Sequence, residues 1–280
     1  MDLLIEKGNS SFRFSDLDLR VTAVDDSVPA MSIDSRTVTG RNGFIFAGAS
    51  FTQKTIKVSG RLVASGIRAF MLKKDKVNGL LLDSEPFYLT KMVPTQEEFY
   101  QFELPGERTG DLNILHQRHE PWHYRYKVLL SGVVDWSFIG RSSEGVKYNF
   151  SMEFTTVELP FGETEASDVL VQGNSIVYRG TAPFSQLEKP WLVELTASGG
   201  QNSFYLEIGR RRFEYQHSAP LASGDVLTIS GIETKLNRVN VTNRTNYAYF
   251  VLEPSANELI RIATNFRGTI KLVGFMELYK

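Results

Sequence analysis

Ile33-Asp34-Ser35-Arg36-Thr37-Val38-Thr39-Gly40-Arg41-Asn42-Gly43-Phe44-Ile45-Phe46-Ala47-Gly48 reads as two strands joined by a turn. Asn-Gly tolerates two positive φ angles cheaply, so Arg41-Asn42-Gly43 predicts a tight hairpin turn. The strand texture continues from Met31 and through Lys54-Thr55-Ile56-Lys57-Val58. Together these runs predict one long hairpin over residues 31–61. Such a hairpin exceeds what a small domain needs for its own core. Its outer edges need a cover, because unpaired backbone groups invite another chain to pair.

The same texture extends outward. Tyr205-Leu206-Glu207-Ile208, Val226-Leu227-Thr228-Ile229 and Gly268-Thr269-Ile270-Lys271-Leu272-Val273 read as strands, with Gly, Asn, Asp and Ser between them. One segment breaks the pattern. Ile67, Phe70, Met71, Val77, Leu80 and Leu81 recur at helical spacing, which predicts a helix over about 66–82 with Ser65 as its N-cap. Asp83-Ser84-Glu85-Pro86 ends it, since the residue before proline avoids the α region. Phe161-Gly162-Glu163-Thr164-Glu165-Ala166-Ser167-Asp168 is short and acidic and predicts a linker. The chain then divides into residues 1–162, and residues 168–280 with the short, regularly spaced strands of a β-sandwich. The fold class is mainly β with one helix.

Composition excludes several functions. The 280 residues hold no cysteine, which rules out disulfides, thiolate metal sites and a Cys nucleophile. The 31 Lys+Arg balance 32 Asp+Glu, against the basic excess usual in nucleic-acid binders. No run of 18 apolar residues occurs, so no membrane-spanning helix is expected, and the N-terminal residues do not read as a signal peptide. There is no Gly-x-Ser-x-Gly, P-loop or Gly-x-Gly-x-x-Gly. No enzyme activity and no cofactor are expected.

Three constellations are weighed against plainer readings. His116, His119 and His123 with Glu120 offer imidazoles for Zn or Ni, but Pro121 interrupts the run, and an exposed polar loop is the default. Arg210-Arg211-Arg212 lies among Phe204, Tyr205, Phe213 and Tyr215. It could stack bases, but reads better as a charge-guarded edge strand. Trp191, with Tyr178 and Phe184, could form a sugar-stacking platform, although buried aromatics are commoner in a β-core. Trp191, Arg210 and Arg212 are therefore the candidate partner or glycan surface.

The ordered set of segments resembles the distal tail protein family of siphophages, mostly those infecting Gram-positive bacteria. The resemblance rests on the opening hairpin, Lys54 to Gly60, the helix, and Glu85-Pro86-Phe87-Tyr88-Leu89. It continues through Tyr126 to Gly132 with Asp135-Trp136, Phe150 to Phe154, Leu159-Pro160-Phe161, Leu252 to Ile260, and Gly268 to Phe275. The family's glycine in its Pro-Gly-x-Asn turn is Ser255 here. The connection over residues 104–124 is longer than the family's and suggests a loop facing a partner.

The resemblance implies a structural virion protein of the tail tip, made in the host bacterial cytoplasm. It implies a homohexameric ring joining the major tail tube protein to a tail-associated tip protein and to receptor-binding or baseplate proteins. It further implies a sandwich-like first domain whose hairpin forms a belt around the neighbouring subunit, and a galectin-like second domain. Asp34, Arg36, Arg41, Phe44, Phe46 and Phe51 become the candidate ring interface. The galectin sugar motif is absent, since His217 is the only histidine after residue 168. A carbohydrate-binding module recognising wall polysaccharide is the alternative reading.

Overall fold

The computed structural model describes residues 1–95 and 118–280. His116 and residues 104–117 of the long connection lie outside the described residues. The chain divides into two compact units, Met1–Gly162 and Glu163–Lys280.

The first unit contains strands β1 (Asp2–Lys7), β2 (Ser10–Arg13), β3 (Leu19–Asp26), β4 (Met31–Arg36), β5 (Ile45–Phe51) and β6 (Thr55–Ala64). Helix α1 (Ile67–Leu81) follows, then β7 (Phe87–Pro94), β8 (His119–Pro121), β9 (Tyr126–Leu130), β10 (Asp135–Ser142) and β11 (Gly145–Thr156). Nine of these strands form one antiparallel sheet in the order β2-β1-β7-β9-β11-β6-β3, with β10 on β11 and β8 on β7. Laid flat, β1 and β3 would stand about 24 Å apart at ~4.8 Å per strand. They nevertheless touch, so the sheet curls over its own core. Leu3, Ile5, Val21, Val58, Leu62, Leu89, Val128 and Phe154 fill that core in a single cluster. The sandwich-like layering thus comes from one curled sheet.

β6 departs from the long hairpin expected over residues 31–61. Ile56, Val58, Leu62 and Ala64 are buried in strict alternation, which a free hairpin cannot provide. The strand therefore pairs with β11 and β3 in the main sheet. The hairpin proper ends at Phe51. Gly60 sits opposite both Phe150 and Val21, and the ring of Phe150 occupies the space a side chain there would need.

Helix α1 begins one residue later than Ser65 capping would give. Gly66 is the N-cap, in extended conformation and with no side-chain cap. Phe70, Val77 and Leu81 are buried. Lys73 reaches back to Asp18 (2.6 Å) and to the Val63 carbonyl (3.3 Å).

The second unit consists mainly of two antiparallel sheets. One has the order Ser167–Leu170, Gly268–Phe275, Leu192–Ala197, Val226–Ile229, Thr234–Leu236, Val239–Asn240. The other runs Ser175–Val177, Leu259–Thr264, Ser203–Ile208, Arg211–Gln216. Each buries alternate residues: Val193, Leu195 and Ala197 in the first, and Leu206, Ile208, Phe213 and Tyr215 in the second. The segment read as a linker starts inside the fold, for Phe161, Gly162 and Glu163 are buried, and Glu163 pairs with Lys189 at 2.8 Å. Ser255 suits its turn because the positive φ falls on Glu258 (58°). The Ser255 hydroxyl bonds the Leu259 carbonyl at 3.0 Å.

Candidate functional site

The hairpin of β4 and β5 leaves the sheet between two charged residues. Asp26 ends β3, and Lys54 precedes β6. Between them the legs are tied by backbone bonds: Ser27 N–H to Thr55 O (2.9 Å), Ala30 N–H to Gln53 O (2.7 Å) and Thr52 N–H to Ala30 O (2.8 Å). The Lys54 side chain turns inward and is about 5% exposed. Its ammonium donates to the Tyr126 hydroxyl at 3.0 Å and lies 3.4 Å from the Asp26 carboxylate. Lys91 donates to the other Asp26 oxygen at 2.6 Å, and the Lys54 N–H donates to the Thr156 hydroxyl at 2.9 Å.

Burial lowers the Lys54 pKa, and Asp26 opposes that shift. Burial alone would raise the Asp26 carboxyl, but the hydrogen bond and charge of Lys91, with Lys54 beyond, hold it below its ordinary value. The Tyr126 phenol is pushed upward by burial, Tyr124 and Asp26, so it remains a neutral donor. A buried ammonium is tolerated only with such partners. The arrangement fixes the root from which the hairpin projects.

The hairpin itself is exposed along both strands. Neither strand pairs with any other described strand. Met31 faces Phe51, Ile33 faces Ala49, and Asp34 faces Gly48. The register then slips, so that Ser35 faces Phe46 and Ala47 is left as an extra residue. This bulge has a consequence for the pattern of faces. It returns Phe46 to the face of Met31, Ile33, Ala49 and Phe51, giving one apolar stripe. Asp34 and Arg36 lie on the opposite face. Phe46 is 62% exposed. At the base, Phe51 meets Phe161 edge-on, with ring centroids 5.8 Å apart.

Arg41 and Phe44 lie in the eight-residue tip, 37–44. The turn is not the tight Asn42-Gly43 hairpin. Arg41 N–H bonds Val38 O (3.1 Å), with Gly40 at φ +81°, as the third position of a type II turn requires. Gly43 is also left-handed at φ +79°.

A second set of exposed apolar side chains in the same unit lies on α1 and β10. Ile67 is 67% exposed, and Met71, one turn on, is also exposed. On β10, whose Trp136 meets Phe70 of α1 edge-on at 5.5 Å, Phe138 is 60% exposed. Tyr148 joins the two, its ring stacked on Phe70 at 3.6 Å and 5.4 Å from Phe138. Ile139, the bulged residue of β10, is exposed as well. Helical periodicity reports an apolar face without telling a buried side chain from an exposed one.

The remaining candidates are spread apart. Trp191 is 1% exposed and stacked on Phe184 at 5.4 Å, so it offers no face to a sugar. Arg210 sits in a turn beside Glu253 (3.5 Å). Arg212 bridges Glu207 (2.9 Å) and Glu214 (2.7 Å) and lies over the Tyr205 ring. Arg211 lies over Tyr249. The basic run is thus met by acids and tyrosines of its own unit. His119 is buried in β8 and His123 is exposed, so these two do not form an exposed loop together. Among the described residues no group of three or more His, Cys, Asp or Glu could hold a metal.

Comparison with known proteins follows the same line. The family model for the phage tail protein RIFT-related domain matches residues 8–159. The crystal structure of the Dit protein of phage SPP1, described as a paradigm of hub adsorption apparatus in phages infecting Gram-positive hosts, superposes with a TM-score of 0.63. That match has 11% identity and covers 100% of both chains, so the two share a fold. Chains of the phage p2 baseplate in its activated conformation match at 12% and 10% identity with TM-scores of 0.37 and 0.38. The first covers 97% of each chain; the second covers 99% of this chain and 97% of the other. No curated protein sequence matches. With its first unit spanned almost entirely by the family model, the chain belongs to the siphophage tail proteins that carry the RIFT-related domain.

Proposed function

We propose that this protein is the distal tail hub of a siphophage, a structural component that closes into a homohexameric ring at the tail tip. The ring joins the major tail tube protein to the tail-associated tip protein and to receptor-binding or baseplate proteins. The first unit builds the ring, its hairpin acting as a belt on the neighbouring subunit. The second unit offers a docking surface to the other tip proteins. The protein performs no catalysis.

The observation that supports this reading is the hairpin. An isolated two-stranded hairpin is marginal in water. This one projects from a rigid root with a stripe of Met31, Ile33, Phe46 and Phe51 and exposed strands. Such a surface calls for a partner, and head-to-tail contacts between identical subunits close into rings.

Light scattering after gel filtration tests it. Six subunits of 31.6 kDa give a closed ring of about 190 kDa. Replacing residues 31–51 by a short Gly-Ser link between Ala30 and Thr52, which already bond at the root, should leave folded monomers. A ring that survives this deletion rules out the belt. A wild-type monomer in solution and on assembled tails rules out the ring.

A further inference from the structure

We infer that the acceptor for the hairpin is the exposed surface formed by Ile67 and Met71 of α1 together with Phe138 and Ile139 of β10, on a second copy of this chain. The inference rests on the ring reading and adds to it the place where the hairpin seats.

A head-to-tail contact needs two different surfaces on every subunit, one giving and one receiving. Among the described residues of the first unit, the hairpin stripe and the apolar side chains of α1 and β10 differ in form. The giving surface is a thin, projecting ribbon. The receiving side chains stand on a helix and a strand that pack on the core through Phe70 and Trp136. Phe70 anchors them from below, buried against Tyr148 and 5.5 Å from Trp136. The two elements that carry the acceptor are thus packed together, whereas the hairpin strands pair only with each other among the described residues.

Spacing agrees as well. Met31 and Ile33 stand about 6.6 Å apart along an extended strand. Ile67 and Met71 stand about 6 Å apart along a helix. Two rows of the same pitch can interleave, with the Phe46 ring reaching toward Phe138. A strand edge is also at hand. Among the described residues β10 pairs only with β11, so a hairpin strand could extend the sheet there. The bulge at Ile139 in β10 would limit such pairing to a few residues, leaving side-chain burial as the main attraction.

The occupant is a second copy because the matching ribbon belongs to this chain and sits on the same domain. The four acceptor side chains are apolar and uncharged, which does not suit an anionic polymer such as nucleic acid.

The chain has no cysteine, so introduced thiols are the only thiols present. Two double variants test the contact: Phe46→Cys with Met71→Cys, and Ile33→Cys with Phe138→Cys. All four positions are exposed, so the fold should tolerate them. Mild oxidation of assembled protein should give a ladder of covalent oligomers on a non-reducing gel from at least one pair. Each single variant should give none. A separate variant, Met71→Arg, should lower the solution mass from ring to subunit while leaving thermal unfolding of the subunit unchanged.

The outcomes separate the two claims. A ring that forms in wild type, is lost on hairpin deletion, yet gives no ladder from either pair and survives Met71→Arg overturns the acceptor and leaves the belt standing. A wild-type protein that never assembles overturns the ring reading and the acceptor with it.

Discussion

Asp26 and Lys54, the residues at which the chain leaves and re-enters the main sheet, face each other across 3.4 Å. Everything between them in sequence projects as the hairpin or ties its legs together. Lys54 is buried, and Lys91 and Tyr126 complete the cluster. The hairpin's exit direction is therefore set by a polar knot inside the domain rather than by packing along its own length.

Lys54→Met tests that knot. Methionine keeps most of the volume and removes the ammonium. Asp26 keeps Lys91, so the loss should be smaller than for breaking an isolated buried pair, at about 1–3 kcal/mol. Urea unfolding should show a lower midpoint with an unchanged slope. An unmoved midpoint would mean that the knot contributes nothing to stability.

Acid should loosen the same root. The folded pKa of Asp26 lies below its ordinary value of 3.8. Its contribution is fully present above that value and is lost as pH falls through the lowered one. Asp83, pulled to about 2 mainly by the hydrogen bond from Lys7, is likewise lowered and adds its own loss in acid. The two can be separated by salt, which screens the exposed Lys7–Asp83 pair more than the sheltered Asp26 cluster. Asp26→Asn should be less stable at pH 7 and should show a shallower fall between pH 4 and pH 2. A fall as steep as that of wild type would assign the acid sensitivity to other groups.

Much of this architecture is legible in the sequence, and its gaps have physical causes. The alternation Ile56, Val58, Leu62 identifies a strand, but periodicity says nothing about its neighbour. Only the demand that those side chains be buried moves Thr55–Ala64 from the hairpin into the sheet. The dipeptide Asn42-Gly43 permits a tight turn without imposing one, and Gly40 takes the left-handed turn position instead. The apolar stripe on the hairpin depends on the bulge at Ala47, which no local residue preference reveals. Ile67 and Met71 carry the same helical signal as Phe70 and Val77 while lying on the exposed side.

Gly60 gives a sharper test of the curled sheet. A Cβ there would fall 2.3 Å from the Arg20 carbonyl oxygen and 2.4 Å from Cζ of Phe150. Neither neighbour is free to move, since Phe150 is buried and Arg20 is paired in β3. Gly60→Ala should cost about 2–4 kcal/mol. Gly48→Ala, on the hairpin with open space around its Cα, should stay within about 0.5 kcal/mol. Equal effects at the two sites would contradict the close approach of β3, β6 and β11.

Trp191 decides how the second unit is probed. With its ring stacked on Phe184 and its indole N–H lacking a partner among the described residues, it is a core residue with an unmet donor. Trp191→Ala should remove about 3–5 kcal/mol and lower the melting temperature of this unit by on the order of 10 °C or more. Trp191→Phe keeps most of the ring and discards the unmet donor, so its cost should be well under half as large. Calorimetry on the two variants measures both effects. A protein as stable with alanine as with tryptophan would return Trp191 to the surface and revive a sugar platform. Otherwise, any loss of polysaccharide binding in the alanine variant reports a damaged sandwich, and a glycan contact must be sought among side chains that reach solvent.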